Sequence, residues 1–463
     1  MRYVSTRGEA PELGFEDVLL TGLARDGGLY VPAQWPELGT RAITALQGKS
    51  YEEVAQAVIQ PFIGGAIPAD ELRHMIDGAY ASFGHPAVAP LKQLDDNQWL
   101  LELFHGPTLA FKDVAMQLLA RMMDWALARR GTRATIVGAT SGDTGGAAIE
   151  AFRSSRHAAV FMMHPHGRVS EVQRRQMTTV DSRSVHNIAI EGNFDDCQAI
   201  VKALFNDLAF RDSVGLAGVN SINWARIMAQ TVYYVTAALS LGSPGRAVSF
   251  SVPTGNFGDI FAGLVAKRMG IAIDRLVIAT NVNDILDRTL KTGRYEMRGV
   301  KTSTSPSMDI QISSNFERLL FEVHGRDPHA VRRMMAGLAQ SGAFTIGNRE
   351  LDQIRHEFGS GATDEAGTAA TIARTLSETA ELLDPHTAVG YAVARSAATS
   401  ASPMVTLATA HPAKFPDAVE KASGIRPALP KRLAHLMAAE ERFTVLPNDV
   451  SRVRDFILSR QQA

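Results

Sequence analysis

Three times in this chain a short β-rich run ends in a loop of small or polar residues, and after the first two, which are glycine-rich, a helical pattern follows. Residues 134–137 (ATIV) lead into GATSGDTGG at 138–146, residues 247–252 (AVSFSV) into PTGNFGD at 253–259, and residues 404–408 (MVTLA) into TAHPAKF at 409–415. Strand, tight loop and helix in that order is the unit of a parallel sheet, because parallel neighbours need a crossover and a helix supplies it. Further strands are expected at 99–104, 158–163, 185–190 and 276–279. Helices are expected at 114–128, 147–153, 169–177, 194–208, 224–241 and 260–269. The rhythm predicts an α/β fold with parallel, doubly wound sheets. Ligands of such sheets bind at the carboxyl ends of the strands, where these loops gather.

The flanks follow other patterns. Residues 1–90 read as a small N-terminal domain with helices at 50–60, behind an N-cap Ser50, and at 69–81. HPAVAPL at 85–91 marks its boundary, and residues 91–463 form the main region. Within that region, an insertion around 281–345 is less regular and rich in serine and threonine. It reads either as a flexible loop or as a source of hydroxyls for an anionic substrate. Helices at 363–383, 386–398 and 449–460 close the chain.

Charge and cysteine content exclude several function classes. The formal net charge is −1, so nothing draws the chain to nucleic acid or to an anionic membrane. Its one cysteine, Cys197, cannot form an internal disulfide or a cysteine-based zinc site. No segment reaches the ~18 apolar residues of a membrane span, and the first residues lack a signal-peptide pattern. HPHG at 164–167 has no carboxylate or cysteine cluster beside it, so no metal is expected. The expectation is a cytoplasmic protein, monomer or homodimer, that acts on a small molecule.

The chemistry centres on Lys112 in HGPTLAFKDVAMQ, residues 105–117. A lysine at a helix mouth faces positive potential from the peptide N–H groups, which lowers its pKa. A free amine is what Schiff-base chemistry with a carbonyl needs. The loop with Ser141, Gly142, Asp143 and Thr144 would bind a carboxylate or phosphate at a helix start, and so would the loop from Gly255 to Asp259. These two are expected on neighbouring turns. Thr409 would offer a neutral hydrogen bond to a ring nitrogen, with His411 and Lys414 adding positive character. In SINWARI, residues 221–227, Asn223 and Arg226 stand at another helix start, where Arg226 could fork onto a phosphate.

With HGPTLAFKD, SGDTG, SINWARI, GNFGD and TAHPAKF in this order, and STRG and DGGLYVP near the start, the chain resembles threonine synthases. These are pyridoxal-phosphate enzymes of the tryptophan-synthase-β fold type, and the likeness is to their longer branch. It implies two α/β subdomains (fold type II) plus the N-terminal domain. It also implies that Lys112 holds pyridoxal 5′-phosphate, that Gly255, Asn256, Phe257, Gly258 and Asp259 bind the cofactor phosphate, and that Thr409 faces the pyridine nitrogen. Ser141, Gly142, Asp143 and Thr144 would hold the substrate carboxylate. Asn223 and Arg226, with help from residues 303–307 and Lys414, would meet the substrate phosphate. The implied reaction converts O-phospho-L-homoserine and water into L-threonine and phosphate. A phospho-lyase acting on O-phosphothreonine or O-phosphoserine would share these motifs, as would a catalytically silent binding homologue.

Overall fold

A computed structural model describes residues 1–397 and 402–461. Two open sheets form the main region. The first has six strands in the order Phe358–Ala362, Ile273–Thr280, Val248–Pro253, Met404–Ala408, Gln98–Glu102 and Leu91–Asp95. All its neighbours run parallel except Leu91–Asp95, an antiparallel edge strand. The second has five parallel strands in the order Thr444–Pro447, Val185–Glu191, Ala158–Pro165, Ala134–Ala139 and Leu216–Ala217. Central strands such as Val248–Pro253 are buried along their whole length, as a sheet covered on both faces requires.

The helix Lys112–Arg130 joins the two sheets, since it follows a strand of the first and precedes a strand of the second. It packs against the helices Ala69–Tyr80, Asp143–Phe152 and Trp224–Ser240. Thirteen of its residues are buried, on every face of its first turns, so it is a core helix rather than a surface one. Gly131 closes it in the left-handed conformation that a helix C-terminus favours.

The N-terminal segment carries a small antiparallel sheet of Leu13–Gly14, Arg2–Ser5 and Tyr30–Pro32, and the helices Tyr51–Ile63 and Ala69–Tyr80. It shares one core with the main region. The rings of Tyr3, Trp35 and Phe62 lie 6.0, 5.9 and 5.7 Å from that of Trp224, which is fully buried. Arg7 pairs with Glu317 at 2.9 Å, and the buried Arg318 donates to the Tyr30 and Ile222 carbonyls.

Several local expectations need correction. The helix expected over 194–208 is two, Phe194–Asn206 and Leu208–Val214, because Asp207 leaves helical geometry and its side chain caps the second. The insertion is not a flexible loop. It holds the helices Ile285–Thr292, Phe316–Val323 and Pro328–Ser341, and Asn281 donates to Ser303, Ser305 and Asp309 to pin its serine-rich stretch. The helix expected over 386–398 is Pro385–Ala397, and Ala398 lies outside the described residues. The two anion loops are not on neighbouring turns. One ends a strand of the second sheet and the other a strand of the first, so they meet across the gap between sheets. One of the two neighbours of Val248–Pro253 is instead Met404–Ala408, which leads into Thr409.

Candidate active site

Lys112 is the first residue of its helix, with 8 % of its surface exposed. Its Nζ donates to Ser307 Oγ at 3.2 Å and lies 3.6 Å from Asp143 Oδ2. Burial lowers its pKa, Arg226 and Lys414 lower it further, and Asp143 opposes them. Removal from water is thus the larger cause, where the sequence pointed to the helix mouth.

Asp143 begins the helix Asp143–Phe152 and is buried. It accepts from Gln173 Nε2 at 2.8 Å and from Ser307 Oγ at 3.2 Å, and it pairs with Lys414 at 3.0 Å. Burial alone would raise its pKa. Lys414 and then Lys112 outweigh that and hold the carboxyl well below the usual carboxylate range. Lys414 itself is fully buried. Its ammonium donates to the Thr108 carbonyl at 2.6 Å and Gln176 Oε1 at 2.8 Å as well as facing Asp143. An ammonium has three N–H donors, and all three are engaged. Lys414 therefore has none left for a substrate phosphate, which removes it from that expected role. Nor does His411 add positive charge, because burial drops its pKa to about 4.

Ser307 stands where the insertion reaches the lysine. Its backbone N–H donates to His386 Nε2 at 3.3 Å, and His386 Nδ1 pairs with Asp384 at 2.9 Å. A Cβ added to Gly255 would lie 2.7 Å from the Ser307 carbonyl oxygen. One residue thus touches both Lys112 and the Gly255 loop. The third loop is tied in by backbone: Phe111 N–H donates to the Thr409 carbonyl at 2.9 Å, and Ala110 bridges Ala410.

Two stretches of backbone carry unpaired donors. The N–H groups of Gly255, Asn256, Phe257 and Gly258 find no acceptor among the described residues. Phe257 takes φ 63°, which costs an ordinary residue on the order of 1–2 kcal/mol. Its ring holds it there, buried against Phe316 and Phe358. In the other loop the N–H groups of Ser141, Asp143 and Thr144 are likewise free of protein acceptors. Thr140 Oγ1 accepts from Gly142 and Gly145 at 2.9 Å each, so Gly142 shapes the loop through its φ of 145° rather than by offering its N–H.

The remaining expected residues divide. Asn223 has both ends of its amide engaged, accepting from Ala225 N–H and donating to the Leu19 carbonyl. It is a helix cap tied to the N-terminal segment, and this corrects its assignment to substrate. Arg226 is buried with one bond, to the Val219 carbonyl at 3.3 Å, and its Nε has no partner. Burial lowers its pKa to about 10, so it stays a cation with donors to offer. The Asp259 carboxyl does not face the loop it belongs to. Its Oδ1 accepts from Tyr233 and Tyr234, and burial raises its pKa to about 6. It anchors the helix behind the cradle, so what the loop offers is its backbone N–H groups.

Three family models cover nearly the whole chain. Residues 2–80 match the threonine synthase N terminus, residues 85–410 the pyridoxal-phosphate dependent enzymes, and residues 387–457 the threonine synthase C-terminal region. A threonine synthase of Pseudomonas aeruginosa is 55% identical over 99% of this chain and 98% of its own. The chain belongs to the threonine synthase family. Among solved structures, a threonine synthase from Brucella melitensis, described as bound to PLP, is 64% identical with a TM-score of 0.99 over 100% of both chains. The yeast threonine synthase is 38% identical with a TM-score of 0.95, over 100% of this chain and 99% of that one.

The side chains and backbone fit the cofactor of this family. A buried amine of lowered pKa suits an aldehyde, and a cradle of unpaired N–H groups at a helix start suits a phosphate. Several residues of this threonine synthase site escape a reading of the sequence: Thr140, Gln173, Gln176 and the pair Asp384 and His386. Thr140 carries a faint signal, as a hydroxyl two residues before a loop glycine. The others stand far from the motifs along the chain and are brought in by packing.

Proposed function

We propose that the chain converts O-phospho-L-homoserine and water into L-threonine and phosphate, with pyridoxal 5′-phosphate held on Lys112. The observation that supports this most is the buried Lys112 amine of lowered pKa, flanked by two loops with unpaired N–H groups. When bound, the cofactor supplies an electron sink for the charge left by deprotonation at the substrate's Cα. In this reading the N–H groups from Gly255 to Gly258 take the cofactor phosphate, and the neutral Thr409 hydroxyl meets the ring nitrogen.

The N–H groups of Ser141, Asp143 and Thr144 bind the substrate carboxylate. That binding is undisturbed by the Asp143 charge because Lys414 neutralises it. Arg226 meets the substrate phosphate with its unengaged donors. Lys112 Nζ takes and returns protons at the substrate carbons, and the Ser307 hydroxyl holds it in line between Asp143 and the Gly255 loop.

We infer a cytoplasmic enzyme, a monomer or homodimer; its single, buried and unpaired cysteine supports a reducing compartment. The deciding assay is phosphate release from O-phospho-L-homoserine with the organic product identified. Threonine supports the proposal, and a 2-oxo acid with ammonia overturns it. An unchanged KM in Arg226→Ala removes that residue's role.

A further inference from the structure

The hydroxyl that meets Lys112 belongs to a short turn, Pro306–Met308, inside the 281–345 insertion. Asn281 pins that stretch at Ser303, Ser305 and Asp309, on either side of Ser307. Ser307 itself has one further tie. Its backbone N–H donates to His386 Nε2 at 3.3 Å and has no other acceptor among the described residues. His386 lies in the first turn of the helix Pro385–Ala397, which packs on the strands Val248–Pro253, Ile273–Thr280 and Met404–Ala408. The bond thus joins the insertion to the first sheet.

The partners fix which imidazole nitrogen carries the hydrogen. A backbone N–H only donates, so Nε2 must present its lone pair. The hydrogen then sits on Nδ1, 2.9 Å from Asp384 Oδ1, where an accepting carboxylate keeps it. Asp384 is committed to accepting. Its oxygens also take the N–H groups of His386 and Thr387, at 2.9 and 3.2 Å, and the Thr387 hydroxyl. Asp384 and His386 are 1 % and 3 % exposed, and the Phe415 ring lies 4.8 Å from the imidazole, so water has little access to either nitrogen.

We propose that Asp384 and His386 are a positioning pair for Lys112. Asp384 holds His386 as an acceptor, and His386 holds the Ser307 backbone so that the Ser307 hydroxyl stays between the Lys112 amine and Asp143. Both act through Ser307 rather than on the reacting atoms. The inference rests on the reading that Lys112 carries the cofactor.

Two substitutions separate the two ends of the imidazole. His386→Asn places an amide near Nδ1, which keeps Asp384 engaged but offers Ser307 no acceptor. His386→Gln reaches the position of Nε2 and restores that acceptor. In the holoenzyme, His386→Asn should displace the pH profile of the cofactor absorbance and lower kcat about fivefold, with KM within about twofold. His386→Gln should recover most of both. Hydrogen exchange at residues 303–309 of the holoenzyme should quicken about threefold or more in His386→Asn and keep the parent rate in His386→Gln. A further measurement keeps the test valid should His386→Asn fail to fold. Nitrogen NMR of the parent enzyme's labelled histidines, assigned by the signal lost in His386→Gln, should show the His386 hydrogen on Nδ1. The proposal is overturned by an unmoved pH profile or unchanged exchange in His386→Asn, by an equal loss in His386→Gln, or by hydrogen on Nε2. If the parent enzyme has no absorbance that Lys112→Ala removes, the function proposed above falls and this inference falls with it. If that band is present, these outcomes bear on the positioning pair alone.

Discussion

Two lysines flank Asp143, and their surroundings differ. Lys414 lies 3.0 Å from the carboxylate, fully buried, with a carbonyl and an amide oxygen engaging its other two protons. Lys112 lies 3.6 Å away, with one hydroxyl partner, and is 8 % exposed. Burial by itself does not make a lysine reactive. What separates the two is how many of their donors the fold engages. A saturated ammonium is a fixed counter-ion, whereas an unsaturated one with a lowered pKa is a nucleophile in waiting. The carboxylate between them stays ionised because of the first, and so remains available to steer the second.

The largest expected effect breaks the comparison from the reactive side. Lys112→Ala should lower kcat on the order of 10³-fold or more and abolish the Schiff-base absorbance, while thermal melting barely moves. An intact Schiff-base band would end its assignment. From the structural side, Lys414→Met should cost about 3–5 kcal/mol of stability, because it strands a buried carboxylate. Chemical denaturation measures this, and a loss under 1 kcal/mol would mean that Lys414 is not the counter-ion.

Smaller effects sharpen the contrast. Ser307→Ala removes the hydroxyl between Lys112 and Asp143. It should reduce kcat about tenfold, roughly 1.4 kcal/mol, and displace the pH profile of the cofactor absorbance, with little change in melting temperature. An unmoved profile would leave Ser307 only a packing role. The smallest effect is in pH dependence. Lys112 releases its proton at lower pH in the folded apoprotein than in the unfolded chain. Within that window the unfolded chain binds more protons, so folding stability rises with pH, up to the ordinary lysine pKa. Lys112→Met should flatten this rise, as denaturation of the apoprotein across the alkaline range would show. A slope unchanged in the variant would assign it to another group.

Much of the fold was legible because its signals are local. The runs at 134–137, 247–252 and 404–408 each became a parallel strand, and the loop after each faces the others as strand ends do in such sheets. Glycines and small hydroxyls in the first two loops pointed to free backbone N–H groups for the same local reason. Asn223 misled because its type and position suit a ligand equally well. Its partner Leu19 lies outside the motifs. The serine-rich insertion was ambiguous until Asn281 was seen to pin it, leaving Ser307 as the hydroxyl that reaches Lys112.

By itself the sequence determined the parallel α/β architecture and the family, and pointed to the lysine. These follow from periodicity and from short motifs whose chemistry is carried by adjacent residues. Only the tertiary structure decided which polar groups remain free to act. Hydrogen-bond saturation is a property of neighbours, and here the neighbours come from distant parts of the chain: Asp143 is answered by Lys414, Lys112 by Ser307, and Ser307 by His386. A donor's availability is what its surroundings leave over, and no window of sequence contains those surroundings.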